Sequence, residues 1–289
     1  AILSPPFAGH LIPTMMIGRR LRDKGHRVTL VSDVQASSIA KSLDVGFLPL
    51  PSSRPVASNR SLMRGIRPIE RLFQLSMRQN QTTAASHWLI DTPSRIARLG
   101  VDALIIEQYV TAGSSIAEFL GLPFVTISAS LDLREIPTHP PCFSPWAYSN
   151  AWMAGLRNRL GYQTLRWFMA PIMTVINDWR SRHGLPSLRH YNELFSPSAH
   201  IVQGCVEFDF PRESLPSRFY AGCLTCDTNR PQSSFPWECL DDRPLVFASF
   251  GTISGKGNLP MLQMIARVCA KMPVQLVISR GNWKGDSDS

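Results

Sequence analysis

The chain has 289 residues, which at roughly 150 residues per domain predicts one large domain with part of a second. With 44% hydrophobic and 18% charged residues it is far from the composition of a disordered chain, and no apolar run is long enough to cross a bilayer. The net charge of +9 favours an anionic partner such as a nucleotide or lipid headgroups, while the scattered placement of Lys and Arg argues against a nucleic-acid tail.

Short apolar runs alternate with segments of helical period over the first hundred and thirty residues. That pattern predicts a parallel sheet covered by helices, an α/β fold. Strands are expected at 1–4, 26–32, 46–50, 103–107 and 123–129. The first helix is expected over 11–23, with Leu11, Met15, Met16, Gly18 and Leu21 on its inner face. Pro13 would then stand in its first turn, where a missing N–H does no harm, and Gly25 would end it.

Residues 131–189 change in composition, opening with Pro137, Pro140, Pro141 and Pro145 and continuing rich in Trp, Met and Phe. They read as a helical insertion with an apolar surface. Strands at 200–204 and near 219–222 return to the sheet pattern. Residues 225–242 are polar, contain proline and lack hydrophobic period, so they read as a linker. A buried strand over 244–251, a helix over 259–271 and a strand over 274–279 then open a second parallel-sheet unit. The organisation expected is a Rossmann-like domain over 1–224 carrying the 131–189 insertion, the linker 225–242, and the beginning of a second domain over 243–289. Residue 1 is Ala in mid-strand and residues 285–289 follow an apparent strand, so both ends read as cut, and no signal-peptide pattern stands at the start.

Six cysteines in a chain of this length do not form a disulfide framework and suit reduced thiols in a cytosolic protein. Cys223 and Cys226 form one CxxC without a second, too few ligands for a structural zinc, so no metal is expected.

Three stretches carry chemistry. His10 follows the first strand in Ser4-Pro5-Pro6-Phe7-Ala8-Gly9-His10, at the carboxyl edge of the sheet where α/β folds bind ligands. An imidazole held there can accept a proton at neutral pH; capping or packing is the competing role. Glu107 ends another inner strand on the same edge, and a carboxylate on one imidazole nitrogen fixes the tautomer and stabilises the imidazolium formed at the other. Its competing role is a solvated strand-end carboxylate. Ser249-Phe250-Gly251-Thr252 follows the strand of the second unit, where a glycine permits close approach and amides or a hydroxyl can meet a phosphate. Gly251 to Gly257 does not match a Walker loop, and no GxGxxG follows the first strand, so nicotinamide and flavin sites lack support.

The stretches Pro5-Pro6-Phe7-Ala8-Gly9-His10-Leu11-Ile12-Pro13 and Gly25-His26-Arg27-Val28-Thr29 resemble the start of the family 1 nucleotide-sugar glycosyltransferases, which include macrolide, plant secondary-metabolite and carotenoid enzymes. The resemblance runs in order through Ile106-Glu107-Gln108, Ala117 to Val125, Phe195 to Ala199, Phe208 to Arg212 and Phe247 to Thr252, nearly the whole chain. It implies a GT-B fold with two Rossmann-like domains, the second truncated here, and metal-independent transfer with inversion at the sugar. It assigns His10 as the base that deprotonates the acceptor and Glu107 to the position of the acidic residue, usually Asp, that orients it. Gly9, Ser249, Gly251 and Thr252 fall to the nucleotide-sugar donor, and Phe7, Trp146 and Trp152 to the acceptor.

The implied reaction moves a hexose, from UDP-glucose as donor, to a hydroxyl of a lipophilic acceptor such as the carotenoid zeaxanthin. A macrolide or other polyketide acceptor and a non-catalytic binding protein of the same fold are the alternatives. No cofactor beyond the nucleotide-sugar co-substrate and no nucleic-acid partner is expected. The Trp- and Met-rich segment with Arg157, Arg159 and Arg166 also suits an anionic membrane surface, giving a cytoplasmic protein with peripheral membrane contact. Core packing is the competing role for each aromatic in that segment. In the family the main diphosphate-binding helix lies in a part of the second domain that this sequence does not reach, so the chain by itself is expected to be inactive as a transferase.

Overall fold

The computed structural model describes residues 1–50, 68–211, 217–222, 235–251 and 259–279. The chain divides into two compact units, the larger built mostly from residues up to Asp227 and the smaller from Thr228 onward.

The larger unit is organised by a seven-stranded sheet, all of whose named strands pair in parallel: β1 Ile2–Leu3, β2 Thr29–Ser32, β3 Gly46–Pro49, β4 Leu104–Glu107, β5 Phe124–Ser128, β6 His200–Val202 and β7 Arg218–Tyr220. The order is β3-β2-β1-β4-β5-β6-β7. The chain therefore winds outward in one direction from β1 to β3 and in the other from β4 to β7. Strand order reverses between β1 and β4, and the crevice outside the carboxyl ends of those two strands is where such sheets take ligands.

Alternation along the strands sorts their side chains to two buried faces. Ile2 and Leu30 join Leu11, Met15, Ala36 and Ala40 on one side. Leu3, Val31, Leu104 and Ile106 join Ile96 and Ile116 on the other. The strands match the predicted positions but are shorter by one to three residues, because pairing stops where a neighbouring strand ends.

Helix α1 spans Ala8–Asp23. It begins three residues before the predicted start, since the Phe7 carbonyl already accepts the amides of His10 at 2.9 Å and Leu11 at 2.8 Å. Pro13 therefore lies inside the helix, not in its first turn as the sequence suggested, and the Gly9 carbonyl has no proline N–H to receive. The Thr14 hydroxyl bonds the His10 carbonyl at 2.7 Å in the same stretch. At the far end Gly25 has φ +89°, its amide bonds the Arg22 carbonyl, and the His26 amide bonds that of Leu21. This is the glycine-terminated Schellman arrangement.

Among the described residues this unit has five further α-helices: α2 Ser37–Ser42, α3 Pro68–Leu89, α4 Thr92–Leu99, α5 Gly113–Phe119 and α6 Trp152–Arg182. Within the predicted 131–189 insertion only α6 is α-helical. One stripe of it, Tyr162, Leu165, Met169, Ile172, Ile176 and Trp179, is buried in the same cluster as Leu3 and Ile106, so much of this segment's apolar content is core.

In the smaller unit β8 (Leu245–Ser249) and β9 (Gln275–Ser279) pair in parallel, with α7 (Leu259–Cys269) between them in sequence. The predicted linker lies outside the described residues over 225–234, as do Cys223, Cys226 and residues 280–289.

Candidate active site

His10 sits in the first turn of α1, immediately beyond β1, and Glu107 is the last residue of β4. Because β1 and β4 are neighbours in register, Ile2 opposite Ile105 and Leu3 opposite Ile106, both residues reach the carboxyl edge at the point where strand order reverses. His10 Nδ1 lies 3.0 Å from Glu107 Oε1. The carboxylate is fully buried and the imidazole keeps 19% of its side-chain surface open.

Glu107 spends its second oxygen on the chain itself: Oε2 accepts the Tyr109 amide at 2.9 Å. With both oxygens held, the carboxylate cannot turn away from the imidazole, and the Glu side chain is long enough to reach His10. A buried carboxylate accepting from Nδ1–H leaves the lone pair of the neutral ring on Nε2, and no described residue bonds Nε2. The arrangement can take a proton at Nε2 while Glu107 stabilises the resulting imidazolium.

Two aromatic rings frame the imidazole. Tyr109 stands edge-on to it with centroids 4.7 Å apart, and Phe7 lies 6.4 Å away. Burial pushes the Tyr109 phenol above its usual pKa, the Ser130 hydrogen bond opposes this, and the Glu107 charge adds to the rise. Phe7 is exposed at the N-cap of α1, which has no side-chain cap and no acidic residue in its first turn. The amides of Ala8 and Gly9, which precede the first intrahelical bond, are thus placed to meet an anionic group. A Cβ on Gly9 would touch nothing within 4 Å, so the protein's own packing does not require glycine there.

Tyr109 and Gln108 were not singled out from sequence as site residues. Gln108 donates to the Ser130 hydroxyl at 2.8 Å and the Leu131 carbonyl at 3.0 Å, and accepts from the Ser128 hydroxyl at 2.8 Å. It ties the end of β4 to the end of β5 and fixes the turn carrying Glu107. Its position directly after a strand-end carboxylate was the available signal.

The two tryptophans expected at the acceptor differ. Trp152 is 79% exposed and lines an open groove of about 770 Å³ with Ile136, His139, Tyr148, Leu156 and Arg159. Trp146 is not among the groove's residues; its ring lies over Gly161 of α6, with the Arg157 guanidinium 5.0 Å from the ring centroid. In the smaller unit Ser249 ends β8 and its hydroxyl accepts the Gly251 amide at 3.3 Å, with Gly251 at φ +68°. Thr252 lies outside the described residues. Among the described residues no group of three His, Cys, Asp or Glu could hold a metal ion, and no helix is long and apolar enough to cross a membrane.

No family model matches the chain. Two curated relatives, both zeaxanthin glucosyltransferases, are 32% identical (Pseudescherichia vulneris; 96% of this chain, 66% of the relative) and 29% identical (Pantoea ananas; 99% and 67%). The chain thus spans about two thirds of the length of the curated relatives it matches. Among solved structures, the kitacinnamycin glycotransferase superposes with a TM-score of 0.69 at 18% identity, over 100% of this chain and 67% of that one. The glycosyltransferase SsfS6 of Streptomyces sp. SF2575, solved with thymidine diphosphate, gives 0.61 at 14% identity over 96% and 66%.

Proposed function

Since the chain belongs to the family 1 nucleotide-sugar glycosyltransferases of GT-B fold, we propose that the protein moves glucose from UDP-glucose to a hydroxyl of a lipophilic acceptor, a hydroxylated carotenoid such as zeaxanthin. His10 Nε2 takes the acceptor's hydroxyl proton, the oxygen bonds the anomeric carbon from the face opposite the nucleotide, and the bond to the diphosphate breaks with its electron pair leaving on UDP. Glu107 holds the imidazole and stabilises its charged form. In the first unit the amides of Ala8 and Gly9, and separately in the second unit Ser249, Gly251 and Thr252, are assigned to donor binding, where groups of this kind stabilise a growing negative charge without a metal. Phe7 and Trp152 are assigned to the acceptor, and Trp146 supports that wall from behind through α6. Residues 1–224 form the acceptor-binding domain, 225–242 the linker and 243–289 the beginning of the donor domain. The protein works in the cytoplasm, meeting the membrane peripherally where its acceptor dissolves.

The 3.0 Å contact between His10 Nδ1 and the buried Glu107 carboxylate carries this reading. The test is UDP release from UDP-glucose, with and without zeaxanthin, by the protein extended to the length of its relatives, wild type against His10→Ala, with a macrolide offered in parallel. Release that depends on zeaxanthin and collapses in the variant is expected. Dependence on the macrolide alone would replace the acceptor, and release indifferent to His10 or absent altogether would leave a binding protein of the same fold. The 289-residue chain by itself is expected to release no UDP.

A further inference from the structure

Helix α6 buries one stripe in the core and turns another outward. Trp152, Met153, Leu156 and Leu160 are 79%, 64%, 52% and 64% exposed, and 152, 156 and 160 follow each other at four-residue intervals, one above the next on the helix surface. Trp167, two turns on, is also exposed, with the Arg78 guanidinium 4.2 Å over its ring. An outward apolar stripe this long is unusual on a soluble surface and marks a contact.

The charge carried by this stretch of sequence has one sign. From Ile136 through Asn177 the sequence holds no Asp or Glu, while Arg157, Arg159 and Arg166 rise from α6 itself. Arg166 is paired with Glu135 and Arg157 rests on Trp146. Arg159 is exposed and makes no ion pair among the described residues, and it lines the same groove as Trp152 and Leu156. The stripe, the arginine and the mouth of the groove are thus continuous over about the first two and a half turns of α6.

We propose that the N-terminal half of α6 is the membrane-docking surface of this protein, and that its partner is an anionic phospholipid bilayer: Met153, Leu156 and Leu160 enter the headgroup–acyl boundary, Arg159 meets lipid phosphate, and Trp152 stands at the groove mouth beside them. This names the surface behind the peripheral contact in the reading above and rests on that part of it. Exposed aromatic and aliphatic side chains with adjacent arginines, on a helix half lacking carboxylates, are what such an interface selects. The docked orientation sets the groove mouth against the lipid, so that a lipophilic molecule passes from bilayer to protein without crossing water.

Co-sedimentation of the full chain with vesicles tests this without any transfer reaction, so an inactive enzyme leaves the outcome readable. Vesicles of phosphatidylcholine with phosphatidylglycerol are expected to bind the protein, and phosphatidylcholine alone to bind it at least about tenfold more weakly. Raising salt from about 0.05 to about 0.5 M should release most of it. Leu156→Ser with Leu160→Ser, and separately Arg159→Glu, should each cut binding about tenfold or more, while Ile90→Ser, at an exposed apolar position off this helix, should not. Arg159 is exposed and makes no ion pair among the described residues, so its variant tests the surface even if the double variant folds poorly. No binding to anionic vesicles, binding indifferent to both α6 variants, or a concentration-dependent dimer that the same variants dissociate would each overturn the proposal, the last by making a second copy of the chain the occupant.

Discussion

Glu107 is fully buried and holds His10 Nδ1 at 3.0 Å with one carboxylate oxygen while the other accepts the Tyr109 amide. The two residues lie ninety-seven positions apart and meet because β1 and β4 are paired where strand order reverses. In the proposed mechanism that contact decides both the tautomer of His10 and the stability of its protonated form.

Glu107→Gln keeps the size of the side chain and removes its charge, and an amide can present either a donor or an acceptor to Nδ1. We expect kcat to fall by about 10² to 10⁴ in the protein extended to its relatives' length, with KM for the acceptor little changed. Glu107→Asp should retain more activity than Gln, because the charge survives although the reach is shorter. Steady-state UDP release measures both. Equal activity in Gln and wild type would remove Glu107 from the mechanism.

Tyr109 and His10 meet ring to ring in a T-shaped contact, so the ring and not the phenol should matter. Tyr109→Phe is expected to leave kcat within about twofold, whereas Tyr109→Ala frees the imidazole to rotate and should cost about tenfold or more. The same assay separates them, with circular dichroism to show that both variants are folded. A larger loss in Phe than in Ala would mean that the hydroxyl acts directly.

The strand runs were readable because their physics is local: an apolar segment such as 103–107 buried on both faces needs no knowledge of its partners, and Gly25 signals a helix end through its own φ. His10 and Glu107 were readable as candidates for a related reason, since each follows or ends such a strand. Pro13 misled, because proline is common in first turns and nothing local revealed that the Phe7 carbonyl would start α1 earlier. Tyr109 was invisible because its relation to His10 exists only across two paired strands. Trp146 and Trp152 look alike in sequence, yet one packs on Gly161 and the other faces outward. That difference depends on how the 137–151 segment folds back over α6, which no periodicity encodes.

Two glycines of α6 give opposite expectations. Replacing either with Ala gains about 1 kcal/mol of helix propensity. At Gly155 a Cβ meets nothing within 4 Å, so Gly155→Ala should stabilise by about 0.5–1 kcal/mol. At Gly161 it would stand 2.6 Å from the Trp146 ring and 2.9 Å from Pro141, and overpacking of about 1–3 kcal/mol outweighs the gain. Urea midpoints of the two variants should therefore move in opposite directions. A stabilised Gly161→Ala would show that Trp146 is not held against the helix.

Asp132 and Arg218 carry the last expectation. Both side chains are almost wholly buried and joined, Arg134 also bonds Asp132, and Arg218 continues to Asp209 at 2.9 Å. Burial alone would push the Asp132 carboxyl up, but the nearby His200 and Arg134 charges and the Arg134 and Arg218 hydrogen bonds hold it well below its ordinary value of 3.8. A carboxyl depressed in the folded state contributes stability that is fully present above the unfolded value and is lost as pH falls toward the folded one. Asp132→Asn removes the more buried of Arg218's two carboxylate partners, leaving Asp209, and should cost about 1.5–3 kcal/mol at pH 7. Below about pH 4 the wild type loses its advantage at up to about 1.4 kcal/mol per pH unit, so the two urea midpoints should converge between pH 4 and pH 2. A gap that stays constant over that window would mean that the Asp132 charge is not what the interior depends on.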